Sequence, residues 1–204
     1  MKIITLTGAS GAGKDFLFKK LLNENKNIKP IISVTTRPKR ENETNGIEYR
    51  FIKLEDLEEL YDNEELIDLR QYNSQEGIWY YGITKDSINL DSEDIYLLIT
   101  DVDGVINIKS YLKSKEINGT DIKSIFINCN GKERLLRTLK RETYLSDEQV
   151  LEICRRYSDD YFSVISNKDL FDIVLKNETI ENLEMCLKVI NSLIERSVTD
   201  NDSN

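Results

Sequence analysis

Eight residues near the start could hold a phosphate: Gly8-Ala9-Ser10-Gly11-Ala12-Gly13-Lys14-Asp15. An apolar run (Ile3, Ile4, Leu6) precedes them, and Phe16, Leu17, Leu21 and Leu22 follow at helical spacing. Strand, glycine turn and helix are the context in which G-x-x-x-x-G-K forms a phosphate cradle. Glycines let the chain wrap closely round an anion, with no Cβ in the way. Their N–H groups and the positive end of the helix starting near Lys14 attract the phosphate oxygens. Lys14 adds a point charge for the outer phosphates. The position after the lysine usually offers a hydroxyl to Mg²⁺. Here it is Asp15, and Phe16 follows. A carboxylate beside a triphosphate is repulsive unless a metal lies between them, and it is a good hard-cation ligand. Asp15 therefore either ligates Mg²⁺, directly or through water, or marks a site that binds nucleotide weakly or not at all.

A second phosphate-binding segment runs from Ser33 to Ile52. It contains Thr35-Thr36-Arg37, Arg40, Glu43, Asn45-Gly46 and Tyr49. Arginine forks suit a phosphate distinct from the one in the glycine cradle. Asn-Gly is a hairpin signal. Farther on, Arg134, Arg137, Lys140 and Arg141 repeat at three- and four-residue spacing and share a helical face, with Leu135, Leu136 and Leu139 on the other side. Ser146-Asp147-Glu148 is a helix start, and the helix it opens carries Arg155 and Arg156.

These residues must be positioned by a chain of 204, with 39% apolar residues and a net charge of −9. That fits one domain, or one core with small inserted subdomains. The acidic balance argues against a broad nucleic-acid surface. No apolar run reaches membrane-spanning length, and Met1-Lys2 runs straight into a core strand, so no leader is expected. Three scattered cysteines (Cys129, Cys154, Cys186) fit reduced thiols in the cytoplasm. There is no histidine, so histidine acid–base chemistry and metal ligation are excluded.

Apolar strands are expected at Ile31–Val34, Ile95–Thr100, Ser124–Cys129 and Phe171–Leu175. Helices are expected after the cradle, over Ile106–Lys115 and over Leu183–Ile194, and Leu54–Leu69 is expected to hold one helix, a turn and the approach to a strand. Asn118-Gly119-Thr120 reads as a turn, residues 71–78 as a loop, and Ser197–Asn204 as a frayed tail. Alternating strands and helices predict an α/β fold, a mostly parallel sheet covered on both faces. Asp101 lies at the carboxyl end of such a strand, placed to reach a metal or the reacting phosphates. Asp103 is either a further site residue or a turn or helix-start residue.

The pattern S-x-T-T-R-x-x-R-x-x-E-x-x-G-x-x-Y from Ser33 to Tyr49 resembles the monophosphate-binding region of guanylate kinases. The resemblance spans nearly the whole chain and implies a P-loop kinase fold, ATP as donor, a nucleoside monophosphate as acceptor, and Mg²⁺ held near Asp15 and Asp101. It implies a core of 1–32, 91–130 and 161–196, a monophosphate-binding subdomain of 33–90 and a lid of 131–160. Gly8 through Asp15 would bind ATP, with Asn177 near adenine. Ser33 would approach the acceptor base. Arg37, Arg40 and Tyr49 would hold its phosphate, with Glu43 orienting the arginines and Tyr81 adding a contact. Lys14, Arg137, Arg141 and Arg156 would absorb charge at the transfer point, although the residues alone do not choose between Arg155 and Arg156. Two positions depart from the family pattern. Asp68 stands where a guanine-reading Glu is usual, and Ile83 replaces the hydroxyl that follows Gly82. The segment 71–78 is also about four residues longer than usual. The resemblance thus points first to GMP and dGMP. A different monophosphate or a phosphorylated sugar, and a binding module that has lost transfer, remain the alternatives.

Overall fold

The structure is a computed structural model and describes residues 1–41, 43–74, 77–116, 121–140 and 145–201. The chain opens with β1 (Lys2–Thr7), whose six residues turn from the glycine loop into α1 (Lys14–Glu24) and then β2 (Ile28–Ile31). Three further strands, β7 (Ile95–Ile99), β8 (Asp121–Asn128) and β9 (Ile173–Lys176), complete a five-stranded parallel sheet in the order β2-β7-β1-β8-β9.

The strands read as continuous apolar runs because both faces of the sheet are covered. Successive side chains of β1 point opposite ways. Ile4 and Leu6 pack under α1 and α6 (Ile180–Asn201), together with Leu17, Leu21 and Ile190. Ile3 points to the other face, where Tyr96, Leu98 and Ile31 meet Ile108 and Leu112 of α3 (Val102–Ser114). Two buried layers fix the carboxyl ends of β1 and β7, and with them the glycine loop and Asp101.

The expected strand across Ile31–Val34 is instead two strands in two sheets. The chain leaves the core at Ile32-Ser33 and enters β3 (Val34–Thr35) of a second sheet, ordered β4-β3-β6-β5. Its other members are β4 (Arg50–Phe51), β5 (Leu66–Ser74) and β6 (Gly77–Thr84), with α2 (Leu54–Asp62) between β4 and β5. Asn45-Gly46 forms a turn closed by Gly46 N–H donating to Tyr49 O, but not a hairpin, because β3 and β4 run parallel. Its flanks are charged rather than alternately apolar, so no antiparallel register forms there. The expected loop at 71–78 is also corrected. Its described residues extend β5 and β6, pairing Gln71 with Tyr80, Tyr72 with Trp79 and Asn73 with Ile78.

Past β8 come α4 (Gly131–Leu139) and α5 (Asp147–Ser163). Ser146 caps α5: its hydroxyl accepts from Gln149 N–H, and the Gln149 side chain accepts from Ser146 N–H. On α4 the expected sides are reversed. Arg134 is buried at 2% exposure, whereas Leu136 and Leu139 are exposed. The Arg134 guanidinium lies over the Tyr157 ring and beside Asp160, partners on α5 that helical periodicity could not show. The expected turn at 118–120 lies outside the described residues. Helix α6 is longer at both ends than Leu183–Ile194 and runs through Asn201, past the start of the expected tail.

Candidate active site

The glycine loop has the tight wrap that a phosphate cradle needs. Gly11 and Gly13 have φ of 77° and 94°, a region that side-chain-bearing residues rarely enter. At Gly8, Gly11 and Gly13 a Cβ would come within 2.5 Å of Ile127 O, 2.4 Å of Arg134 O and 2.4 Å of Asn177 Nδ2. Lys14 folds back over the loop, donating from Nζ to Gly8 O at 2.6 Å and to Ala9 O at 3.2 Å.

Side chains from distant parts of the chain tie this loop in place, directly or through one another. Asn177, buried, donates from Nδ2 to Ala12 O at 2.8 Å, and its backbone N–H donates to Asn128 O at 2.8 Å. Its side-chain amide thus supports the loop from behind. Arg137 spends its guanidinium on carbonyls, Nη1 to Asn177 O at 2.8 Å and Nη2 to Glu178 O at 3.2 Å. Asp160 of α5 accepts from Ser10 N–H at 2.7 Å, which brings a lid carboxylate to the rim of the cradle. Nothing in the sequence pattern pointed to Asp160, because 150 residues separate the pair.

The second sheet builds the arginine pocket. Arg37 is 4% exposed and saturated with partners. Nε donates to the Tyr81 hydroxyl at 3.1 Å, Nη1 to Pro38 O at 2.8 Å, and Nη2 to both Glu43 oxygens at 2.8 and 3.0 Å. Tyr49 and Phe51 each hold a ring centroid 5.5 Å from its Cζ. Glu43 also accepts from Arg40 N–H at 2.9 Å, so one carboxylate shapes the whole turn from 37 to 43. Burial pushes the Glu43 carboxyl up, but the Arg37 hydrogen bond, the Arg40 N–H and the two positive charges bring it net below its ordinary value. Arg40 is more exposed, with Nη1 3.8 Å from Glu43 Oε1. Tyr81 meets Tyr49 edge-on at 5.5 Å and Tyr72 at 5.4 Å.

A small solvent-facing cleft lies between α1 and the segment from Ser33 to Tyr49. One wall is α1, with Asp15, Phe18 and Lys19; the other carries Ser33, Ile47, Glu48 and Tyr49. The Tyr49 phenol shows how close the walls are. It is held above its ordinary value by burial first, then by Tyr81 and Asp15, against the charges of Arg37 and Arg70.

Beneath the acceptor side lies a buried ionic cluster. The Asp68 side chain has no exposed surface and sits between Arg70 Nε, 2.6 Å from Oδ2, and Asn107 Nδ2, which donates to Oδ1 at 2.6 Å. The first contact is an ion pair without hydrogen-bond alignment. Asp101 caps α3, its Oδ1 accepting from Gly104 N–H at 2.9 Å and standing 2.7 Å from Arg70 Nη1. Asp103 lies in the first turn of that helix. Sequence reasoning passed over Arg70 and Asn107. For Arg70 the signal was present: Asp68, Arg70 and Tyr72 alternate on a strand and so share a face.

Of the lid arginines, Arg155 pairs along its own helix with Glu152 and Asp159. Arg156 donates to Glu152 at 2.7 Å and lies over the Trp79 ring, 5.2 Å from its centroid, on the acceptor sheet. Arg141 lies outside the described residues. Among the described residues no three His, Cys, Asp or Glu side chains converge as a metal site.

A glycine cradle and lysine at the end of a parallel strand, with a cleft between α1 and the segment that leads into the arginine-bearing sheet, are the features of a P-loop kinase of phosphorylated small molecules. The guanylate kinase family model matches residues 1–196, and the chain belongs to that family. It is similar to the guanylate kinase of Prochlorococcus marinus subsp. pastoris, 31% identical over 94% of this chain and 97% of that one. The guanylate kinase of Mesomycoplasma hyopneumoniae strain 7448 is 31% identical over 97% and 95% of the two chains. A crystal structure of guanylate kinase from Anaplasma phagocytophilum superposes with a TM-score of 0.66 over 95% of this chain and 84% of that one; at 24% identity it speaks for the fold.

Proposed function

We propose that this protein transfers the γ-phosphoryl group of ATP to GMP or dGMP, giving ADP and the nucleoside diphosphate. The observation that carries this is the single cleft with Asp15 and Lys19 on one wall and Ser33 and Tyr49 on the other. A donor phosphate held by the glycine loop and an acceptor phosphate held by Arg37 and Arg40 would then lie across one gap. Membership of the family supports the guanine nucleotide as acceptor.

The nucleophile is an acceptor phosphate oxygen, already anionic at neutral pH. No catalytic base is required, in keeping with a chain that lacks histidine. Catalysis is positioning and charge neutralisation. Lys14 would exchange its two backbone carbonyls for phosphate oxygens. Arg37, Tyr81 and Tyr49 form a preorganised wall, and the more exposed Arg40 closes on the acceptor phosphate. We assign residues 33–90 to acceptor binding and 131–160 to a lid that excludes water, with Arg137, Arg141 and Arg156 as its cations. Asn177, tied to Ala12, supports the loop near the nucleoside of ATP.

Asp15 is an exposed carboxylate in the first turn of α1, and Mg²⁺ is satisfied by one or two carboxylates together with substrate phosphates. These residues fit a Mg²⁺ held by Asp15 and the ATP phosphates. Asp101, committed to Gly104 N–H and Arg70, serves better as the cap and counter-ion of the acceptor side. When bound, the metal would neutralise charge on the transferring group. The free thiols Cys129, Cys154 and Cys186 suit a reducing compartment, and we place the protein in the cytoplasm. Among the described residues no helix is long and apolar enough to cross a membrane.

ADP formation with GMP, dGMP, AMP, CMP and UMP, each with Mg·ATP, tests the reading. Turnover with GMP and dGMP well above the others is expected; equal or greater turnover with another monophosphate overturns it. In the same assay Arg40→Ala should raise the acceptor KM about tenfold or lower kcat, because it removes a charge-assisted contact, while ATP binding survives. Unchanged kinetics would remove Arg40 from the site.

A further inference from the structure

The buried cluster on β5 carries an arginine in the base-proximal part of the acceptor side, and no step of the reaction above uses it. Arg70 stands opposite Tyr81 in the antiparallel register, so it shares a sheet face with the residue that bonds Arg37. Its charge acts on the Tyr49 phenol, which lines the cleft. Two carboxylates converge on it, Asp68 at 2.6 Å and Asp101 at 2.7 Å, and they meet Nε and Nη1. The start of α3 is built around it: a Cβ on Gly104 would come within 3.1 Å of Arg70 Cζ and Nη1. The Arg70 side chain keeps 10% of its surface exposed, whereas that of Asp68 keeps none. A guanidinium has five N–H donors, more than these two contacts use.

The edge of a guanine base presents a 6-oxo acceptor beside N1–H and 2-amino donors. A carboxylate can read the donors, and a guanidinium can read the oxo group. Ile83, fully buried in an apolar cluster, offers the oxo group nothing. We propose that Arg70 is a specificity-determining residue of the acceptor site. It donates a hydrogen bond to the 6-oxo group of the base while the Asp68 and Asp101 carboxylates hold it in place. This rests on the reading of the acceptor as a guanine nucleotide. It adds that discrimination at position 6 resides in an arginine on β5.

The test compares GMP with 6-thioguanosine 5′-monophosphate, which keeps N1–H and the 2-amino group but replaces the 6-oxo oxygen with sulfur, a much weaker acceptor, in wild type, Arg70→Met and Arg70→Lys. Wild type should favour GMP by kcat/KM. Arg70→Met should lose about tenfold or more of that preference, the worth of one hydrogen bond to a charged donor, mostly through the KM for GMP, with the KM for ATP unchanged. Arg70→Lys keeps the charge without the fork and should fall between. A merely structural arginine would depress both acceptors alike and leave their ratio untouched. If Arg70→Met does not fold, Arg70→Lys decides alone. A wild-type ratio in every folded variant overturns the proposal. A wild type that does not phosphorylate GMP overturns the reading it rests on instead.

Discussion

Lys14→Met should lower kcat by about 10³-fold or more while the protein stays folded, a loss of about 4 kcal/mol of transition-state stabilisation. The size follows from where the charge sits. Nζ hangs over the glycine loop on two main-chain oxygens, 2.6 and 3.2 Å away, at the place where the outer phosphates of ATP would lie. Charge spreads over the transferring group in the transition state, so a cation there counts for more than in the ground state. Lys14 makes no contact on which the core depends, so the melting temperature should hold. Single-turnover assays with saturating ATP check the chemical step. A fall below tenfold would show that the ammonium group does not act on the transferring phosphate.

Arg37→Ala should be costly in a different way, destabilising the fold as well as weakening acceptor binding. It removes the partner of Glu43 and leaves a carboxylate whose side chain is 12% exposed beside apolar rings. Breaking such a pair costs about 3 kcal/mol, the low end of the range because Glu43 keeps some water. For a chain of this length that lowers Tm by about 10 °C. The pH dependence separates this origin from simple loss of packing. In wild type Glu43 titrates below its ordinary value, so its contribution is fully present above about pH 4.3 and is lost as pH falls through the lower folded value. In Arg37→Ala the burial that raises the Glu43 pKa is opposed only by the Arg40 N–H and charge, so the carboxyl titrates higher than in wild type. The deficit of the variant should therefore shrink as pH falls and the carboxyl takes up a proton. Urea titrations of both proteins between pH 4 and pH 7 read this directly; a deficit independent of pH would mean that Glu43 is not the group left stranded.

Much of this architecture could be read from residue order. The run Ile3, Ile4, Leu6 followed by glycines and Lys14 led to a buried parallel strand and a helix start, and β1 and α1 lie there. Ser146-Asp147-Glu148 marked the start of α5, and the reason is local, two reciprocal hydrogen bonds between Ser146 and Gln149. The failures share a cause. Asn45-Gly46 signals a hairpin only when its flanks can pair antiparallel, and β3 finds β6 instead. Arg134 was expected on one basic face with Arg137 and Lys140, but its partners, Tyr157 and Asp160, belong to another helix. Asp68 was expected at the acceptor site, but its pairing with Arg70 and Asn107, in a cluster that also holds Asp101, is something only the fold brings within reach. Short-range pattern carries elements and caps; long-range ion pairs are set by the assembly of elements.

The chain has one tryptophan, and it sits on β6 where α5 meets the second sheet. Trp79 is 9% exposed, with the Arg156 guanidinium stacked on its ring. Any swing of α5 must lift that cation away or press it closer, and indole emission responds to a nearby charge and to entering water. The molecule therefore carries its own optical gauge of the lid closure proposed above, readable without a label and free of interference from a second indole. Stopped-flow traces taken on adding one nucleotide, then both, would time the motion of the flap separately from the chemistry beneath it.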